Sequence, residues 1–276
     1  MSRLPQVSEG VVTLSDGAAL RYRLSAVGGR RRLVLIHPLA MNIEFWDPLV
    51  ARLAEHMDIL LYDVRGHGRS SPILHTFSDA DHARDLVGLL DHLGWSGATV
   101  AGASMGGCIA LAFAVHFPER AEGLGLIDTT SHYDHDPAAW ERRGQRAMTE
   151  GFGAMIGFQL DRWFSDEFRN GGSPVIARAI EIFVANHAPS YVEACRMLGA
   201  FDMSRRLDEL NLPARVIVGE HDPATPIRMA RFMADHIPGA ELRIVASTRH
   251  FTPLEAPDVV GDELRSLTAA TMVGTR

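Results

Sequence analysis

Short apolar runs without strict alternation recur at residues 33–36, 59–62, 99–103, 124–127, 215–218 and 242–245. Runs of this length suit strands covered on both faces, the environment of a parallel sheet. Residues 11–14 and 19–24, joined by Ser15-Asp16-Gly17, predict instead an antiparallel pair closed by a turn at one edge. Helical patterns lie between the runs. The clearest spans 78–93, where Ala83, Leu86, Val87, Leu90 and Leu93 fall at helical spacing, Ser78 can cap the start and Gly94 can end it. Strands alternating with helices predict an α/β fold, a mostly parallel doubly wound sheet with helices on both sides and its binding site at the carboxyl ends of the strands. The alternation lapses over 131–210, where helical segments follow one another. Those residues are expected to form a helical lid inserted into one core domain made of 1–130 and 211–276. Asp79, Asp81, His82 and Asp85 fall on what reads as an exposed helix face, so solvation explains them better than a metal site does.

Composition narrows the partners. A chain of 276 residues can bury one large core. Its net charge of −7 gives no overall positive field for phosphates, which disfavours nucleic acid and leaves small molecules. All 27 basic residues are arginine, so lysine-based Schiff-base or P-loop chemistry is excluded. Cys108 and Cys195 alone make neither a disulfide framework nor a zinc site, and residues 1–10 lack the pattern of a secretory signal, so a cytoplasmic location is expected. Residues 98–115 are uncharged over the length of a membrane span, but Gly102, Ser104, Gly106 and Gly107 in their middle suit a strand, sharp turn and helix better than a bilayer helix.

That turn carries the candidate chemistry. Gly102-Ala103-Ser104-Met105-Gly106 matches the nucleophile-elbow pattern Gly-x-Ser-x-Gly, with a strand running in and a helix running out. A serine hydroxyl needs an adjacent base, a task histidine performs best near neutral pH. Of 13 histidines, His250 follows the last strand-like run by a short loop and so reaches the edge where the elbow points. His37, His67 and His221 also follow strands, but they fit loop packing or hydrogen bonding. The orienting acid should lie between serine and histidine in chain order. Asp222, after the 215–218 run, is preferred to Asp128, with Glu220 as a neighbouring rival. An acyl transfer also needs donors for its oxyanion. Met105 should supply one N–H, and Leu39 the other, because Pro38 in the loop after 33–36 has none.

The chain resembles the α/β-hydrolase superfamily over nearly its whole length, and within it the 3-oxoadipate enol-lactonases. Tyr62-Asp63-Val64-Arg65-Gly66-His67-Gly68-Arg69-Ser70 is similar to the strand-and-loop signature shared across the superfamily. Phe45-Trp46-Asp47-Pro48, Arg162-Trp163-Phe164 and Tyr191-Val192-Glu193-Ala194-Cys195 resemble enol-lactonase segments in the same order. The resemblance implies cofactor-free lactone opening in aromatic-compound catabolism, with Trp140, Arg143 and Trp163 at the substrate and Arg143 gripping a free carboxylate. Two places depart from the family. Gly199 stands where it usually has arginine, and His37-Pro38 where its oxyanion loop begins with small polar residues. The lid is not basic either, with nine arginines against twelve acids over 131–210. Rival readings are a broad carboxylesterase or carbon–carbon hydrolase with the same triad, and a non-catalytic ligand receptor that keeps the pocket. The sequence gives no oligomeric state.

Overall fold

The computed structural model describes residues 5–29, 31–134 and 137–271. Among them eight strands form one sheet: β1 (Gln6–Thr13), β2 (Ala19–Ala26), β3 (Arg32–Ile36), β4 (Asp58–Tyr62), β5 (Ala98–Ala103), β6 (Ala121–Ile127), β7 (Ala214–Gly219) and β8 (Glu241–Val245). Their order is β1-β2-β4-β3-β5-β6-β7-β8. At one edge β1 and β2 run antiparallel, and β2 pairs antiparallel with β4. Every other pairing is parallel. β4 and β5 are buried at every position, which is why their sequences do not alternate.

Among the described residues eleven α-helices accompany the sheet: α1 (Asp47–Leu53), α2 (Asp79–His92), α3 (Met105–His116), α4 (Pro137–Thr149), α5 (Ile156–Trp163), α6 (Asp166–Asn170), α7 (Pro174–Val184), α8 (Ala188–Ala200), α9 (Ile227–His236), α10 (Thr252–Glu255) and α11 (Pro257–Ala270). α3 is buried from Met105 to Val115, so the uncharged stretch is a strand, turn and helix packed inside the protein. Among the described residues no helix is long and apolar enough to cross a membrane.

α2 starts with a capping box in which Ser78 and Asp81 bond reciprocally. Its acidic cluster is less exposed than the spacing suggested. His82 and Asp85 are buried, because α2 turns them inward beside Leu86 and Leu89. Asp85 there takes two hydrogen bonds from Arg65, at 2.9 and 2.7 Å, which offset only part of the burial of its charge, and burial still raises its pKa to about 6.

Helices α4 to α8 all lie between β6 and β7, with α4 packed on α8. The two ends of this insertion meet at a bridge between His132 and Asp202, and Met203 N–H donates to Ser131 O at 2.8 Å. The far side of the insertion is tied to the loop after β8: His250 N–H donates to Arg162 O at 3.3 Å and Phe251 N–H to Trp163 O at 3.0 Å.

Candidate active site

The turn from β5 into α3 forces Ser104 to φ +52°, a backbone region that L-residues rarely adopt and that costs about 1–3 kcal/mol. Two bonds, one to β6 and one from the loop after it, hold it there. Ser104 N–H donates to Ile127 O at 2.9 Å, and Thr129 Oγ1 donates to Ser104 O at 2.7 Å. Gly106 must be glycine, because a Cβ there would overlap the carbonyl oxygen of Ile36. β3 therefore passes close against the start of α3.

His250 and Asp222 come from the loops after β8 and β7. His250 Nε2 lies 2.9 Å from Ser104 Oγ, and His250 Nδ1 lies 2.8 Å from Asp222 Oδ2. A carboxylate can only accept, so Nδ1 carries the proton and Nε2 faces the serine as an acceptor. All three residues are buried. Asp222 is fixed further by the N–H groups of Ala224 and Thr225, at 2.7 and 3.0 Å, and by Thr225 Oγ1 at 2.7 Å. Burial alone would raise its carboxyl, but attraction to His250 and these hydrogen bonds outweigh burial and hold it below the usual range. In this geometry the imidazole can take the hydroxyl proton while the carboxylate stabilises the cation that forms.

Asp128 and Glu220, the competing acids, point elsewhere. Asp128 accepts from Gly219 and Thr252, and Glu220 accepts from Ser247 N–H at 2.9 Å on the surface. Burial, with the Asp222 charge adding to it, pushes the Asp128 carboxyl well above its ordinary range.

The N–H groups of Leu39 and Met105 have no acceptor among the described residues. For Leu39 the orientation has a visible cause. His37 Nδ1–H donates to Pro38 O at 2.8 Å, and Met41 N–H donates to the same oxygen at 3.1 Å. In a planar trans peptide the Leu39 N–H points the opposite way. His37 also accepts from Val64 N–H at 2.9 Å, and burial lowers its pKa to about 4, so it stays neutral.

Ser104 and His250 open onto a space lined by Leu39, Trp140, Arg143, Gln159, Arg162 and Trp163 among others. Trp163 stacks on Phe251 with ring centroids 4.8 Å apart. Arg143 lies over the Trp140 ring at 5.1 Å and donates through Nε to Tyr191 Oη at 2.8 Å. The three resemblance-based substrate candidates, Trp140, Arg143 and Trp163, thus share one cavity with the serine.

Arg162, which enters the sequence analysis only within the Arg162-Trp163-Phe164 resemblance and with no role at the site, lines the same cavity. Among the described residues neither Arg143 nor Arg162 forms an ion pair, and burial together with repulsion from Arg143 lowers the Arg162 guanidinium. The sequence does hold a signal. Arg146, Arg169, Arg178, Arg196 and Arg206 each pair with an acid three or four residues away, whereas Arg143 has no acid at that spacing. Arg162 has none within its own helix. Among the described residues no group of His, Cys, Asp and Glu is placed to hold a metal ion.

Comparison with known proteins agrees with this architecture. A family model for the alpha/beta hydrolase fold matches residues 31–158. A 3-oxoadipate enol-lactonase of Acinetobacter baylyi is 28% identical over 243 residues, 88% of this chain and 90% of that one. The crystal structure of the enol-lactonase from Burkholderia xenovorans superposes with a TM-score of 0.90 at 29% identity, over 94% of this chain and 100% of that one. A thermophilic esterase from Thermogutta terrifontis, solved with malate bound, gives 0.88 at 25% identity, over 96% and 99%.

Proposed function

Because this chain is an α/β-hydrolase, an ester or lactone hydrolase resembling 3-oxoadipate enol-lactonases, we propose that it opens an enol-lactone or a related lactone bearing a free carboxylate. Ser104 Oγ attacks the lactone carbonyl as His250 Nε2 takes its proton, and Asp222 stabilises the resulting imidazolium. The N–H groups of Leu39 and Met105 receive the oxyanion. Collapse breaks the ring carbon–oxygen bond, and His250 returns its proton to the enol oxygen, which stays tethered to the acyl-enzyme. His250 then takes a proton from water, the hydroxide attacks the acyl carbon, and Ser104 leaves reprotonated. The product carries one carboxylate more than the substrate. No cofactor enters.

The observation that carries this reading is the succession Ser104 Oγ, His250 Nε2, His250 Nδ1, Asp222 Oδ2 at 2.9 and 2.8 Å, opening onto a cavity with two guanidinium groups and, among the described residues, no ion-pairing acid. Burying cations without partners is costly, and an anionic ligand supplies the compensation. Arg143 and Arg162 therefore grip the substrate carboxylate, with Trp140 and Trp163 walling its carbon skeleton. Residues 131–210 act as the lid over a core of 1–130 and 211–276. The free, buried Cys108 and Cys195 accord with work in a reducing cytoplasm. The likeness to the Thermogutta esterase favours a broad carboxylesterase as the second reading.

One kinetic panel separates the two: 3-oxoadipate enol-lactone, neutral lactones of similar size and simple aryl esters. A charge-assisted bond is worth about 1.5–3 kcal/mol, so the acidic lactone should exceed the neutral ones in kcat/KM by at least about 10-fold. Equal turnover across the panel would favour the esterase. Ser104→Ala should lower turnover by about 10⁴–10⁶-fold without unfolding the protein. Normal turnover in that variant would remove the serine from the reaction.

A further inference from the structure

The residue that lost the competition for the triad acid occupies the point where all three triad-bearing segments meet. Asp128 directly follows β6, fully buried, with φ +46°, a left-handed conformation that aspartate tolerates better than most residues. Its backbone neighbours hold the nucleophile: Ile127 O accepts Ser104 N–H and Thr129 Oγ1 donates to Ser104 O. Its own N–H donates to Ile217 O at 2.8 Å, continuing the ladder to β7. Its carboxyl then divides between the two remaining loops. Oδ1 accepts from Gly219 N–H at 3.0 Å, three residues before Asp222. Oδ2 accepts from Thr252 N–H at 3.0 Å and lies 2.7 Å from Thr252 Oγ1, two residues after His250.

The loops it joins are in contact with each other. A Cβ on Gly219 would overlap the carbonyl oxygen of Arg249, immediately before His250, so the acid and base loops press together at bare backbone. Each oxygen of Asp128 faces one loop.

We propose that Asp128 is a positioning residue, which sets the Ser104–His250–Asp222 geometry by bridging the β7 and β8 loops from the strand that anchors the nucleophile. This rests on the triad reading given above. The carboxyl is not among the residues lining the cavity, and its hydrogen-bond partners among the described residues are Gly219 and Thr252 rather than His250. It acts through Gly219 and Thr252. Asparagine cannot replace it, because an amide offers one accepting oxygen: whichever loop meets its NH₂ group faces donor against donor. Misplacing reacting groups by about 1 Å can cost about 10²-fold in rate.

The test uses the full chain and counts competent sites. Wild type, Asp128→Asn and Thr252→Val are titrated with an irreversible phosphonylating agent that reads Ser104, and kcat is expressed per titrated site. Asp128→Asn should lose about 10²-fold in kcat per site with KM little changed, and the acid limb of its pH–rate profile should move, because the His250–Asp222 contact has changed. Thr252→Val removes the hydroxyl bond and keeps the carboxyl, and should lose about 10-fold. Wild-type kcat per site and an unmoved pH limb in Asp128→Asn, whatever its melting temperature, would overturn the proposal. If Asp128→Asn does not fold, the same result in Thr252→Val overturns it. Failure of the triad reading looks different: wild-type Ser104 would resist phosphonylation and Ser104→Ala would keep its turnover.

Discussion

His37→Leu tests whether one buried imidazole aims the oxyanion-binding loop. The wild-type ring makes two bonds, donating from Nδ1 to Pro38 O at 2.8 Å and accepting at Nε2 from Val64 N–H at 2.9 Å. Leucine is of comparable bulk and can make neither. Pro38 O keeps only the longer bond from Met41 N–H, at 3.1 Å, and Val64 N–H is left buried without an acceptor. An orphaned buried donor costs about 1–3 kcal/mol, so stability should fall by that amount. Catalysis should fall for a separate reason. Once Pro38 O can rotate, the Leu39 N–H on the far side of the same peptide no longer points steadily at the developing oxyanion. Complete loss of one such donor costs about 2.7–4 kcal/mol, or about 10²–10³-fold in kcat, and that sets the ceiling. We expect kcat to drop between about 10-fold and that ceiling, with KM nearly unchanged. The matching binding measurement uses a boronic acid, whose tetrahedral adduct occupies the oxyanion position, against the carboxylate product, which does not mimic it. The boronate should weaken in parallel with kcat while the product binds as before. A folded His37→Leu enzyme with wild-type kcat and wild-type boronate affinity would refute the reasoning.

Two further tests address binding and stability. Arg143→Gln and Arg162→Gln should each raise KM for an acidic lactone by about 10-fold or more and leave a neutral lactone nearly unaffected, and equal effects on both substrates would remove the arginines from carboxylate recognition. Burial holds His37 at a pKa of about 4 and His67 and His82 at about 3, so the unfolded chain takes up protons near pH 6.5 that the folded protein refuses. Stability from these rings is therefore present above pH 6.5 and declines as pH falls toward 4, by about 2 kcal/mol per ring between pH 7 and 5. His82→Phe, a ring already packed on Phe77, should make urea unfolding less pH-dependent by that amount, and an unchanged dependence would show that His82 is not buried neutral.

The sheet was legible because each central strand holds a largely apolar run of four or five residues between turn signals, and β5, the turn and α3 could be placed almost to the residue. β1 is longer than its apolar core, beginning at Gln6, because an exposed edge strand can pair through its backbone with polar side chains. The acidic face of α2 was misjudged for a physical reason. His82 and Asp85 stand four residues before Leu86 and Leu89, which places them on the buried stripe, and only a long-range partner, Arg65, makes that tolerable for Asp85. No local rule reveals such a partner. Arg162 escaped for a similar reason, since α4 and α5 converge on one cavity only in three dimensions.

The overall charge at first sight opposes an anionic substrate, because the chain carries −7 and the insertion has more acids than arginines. Charge beyond about 8 Å is largely screened at physiological ionic strength, however, so net charge does not decide what the cavity prefers. The local arrangement does. The surface arginines of the insertion spend their charge on acids one helical turn away, as Arg178 does with Glu181 and Arg196 with Glu193. Arg143 and Arg162 are left facing the serine with aromatic rings, an amide and a phenol around them, in a setting where each retained charge acts strongly on whatever enters. On the proposed reading a ligand carboxylate would meet the attraction of that pair, and a neutral lactone would gain nothing from it.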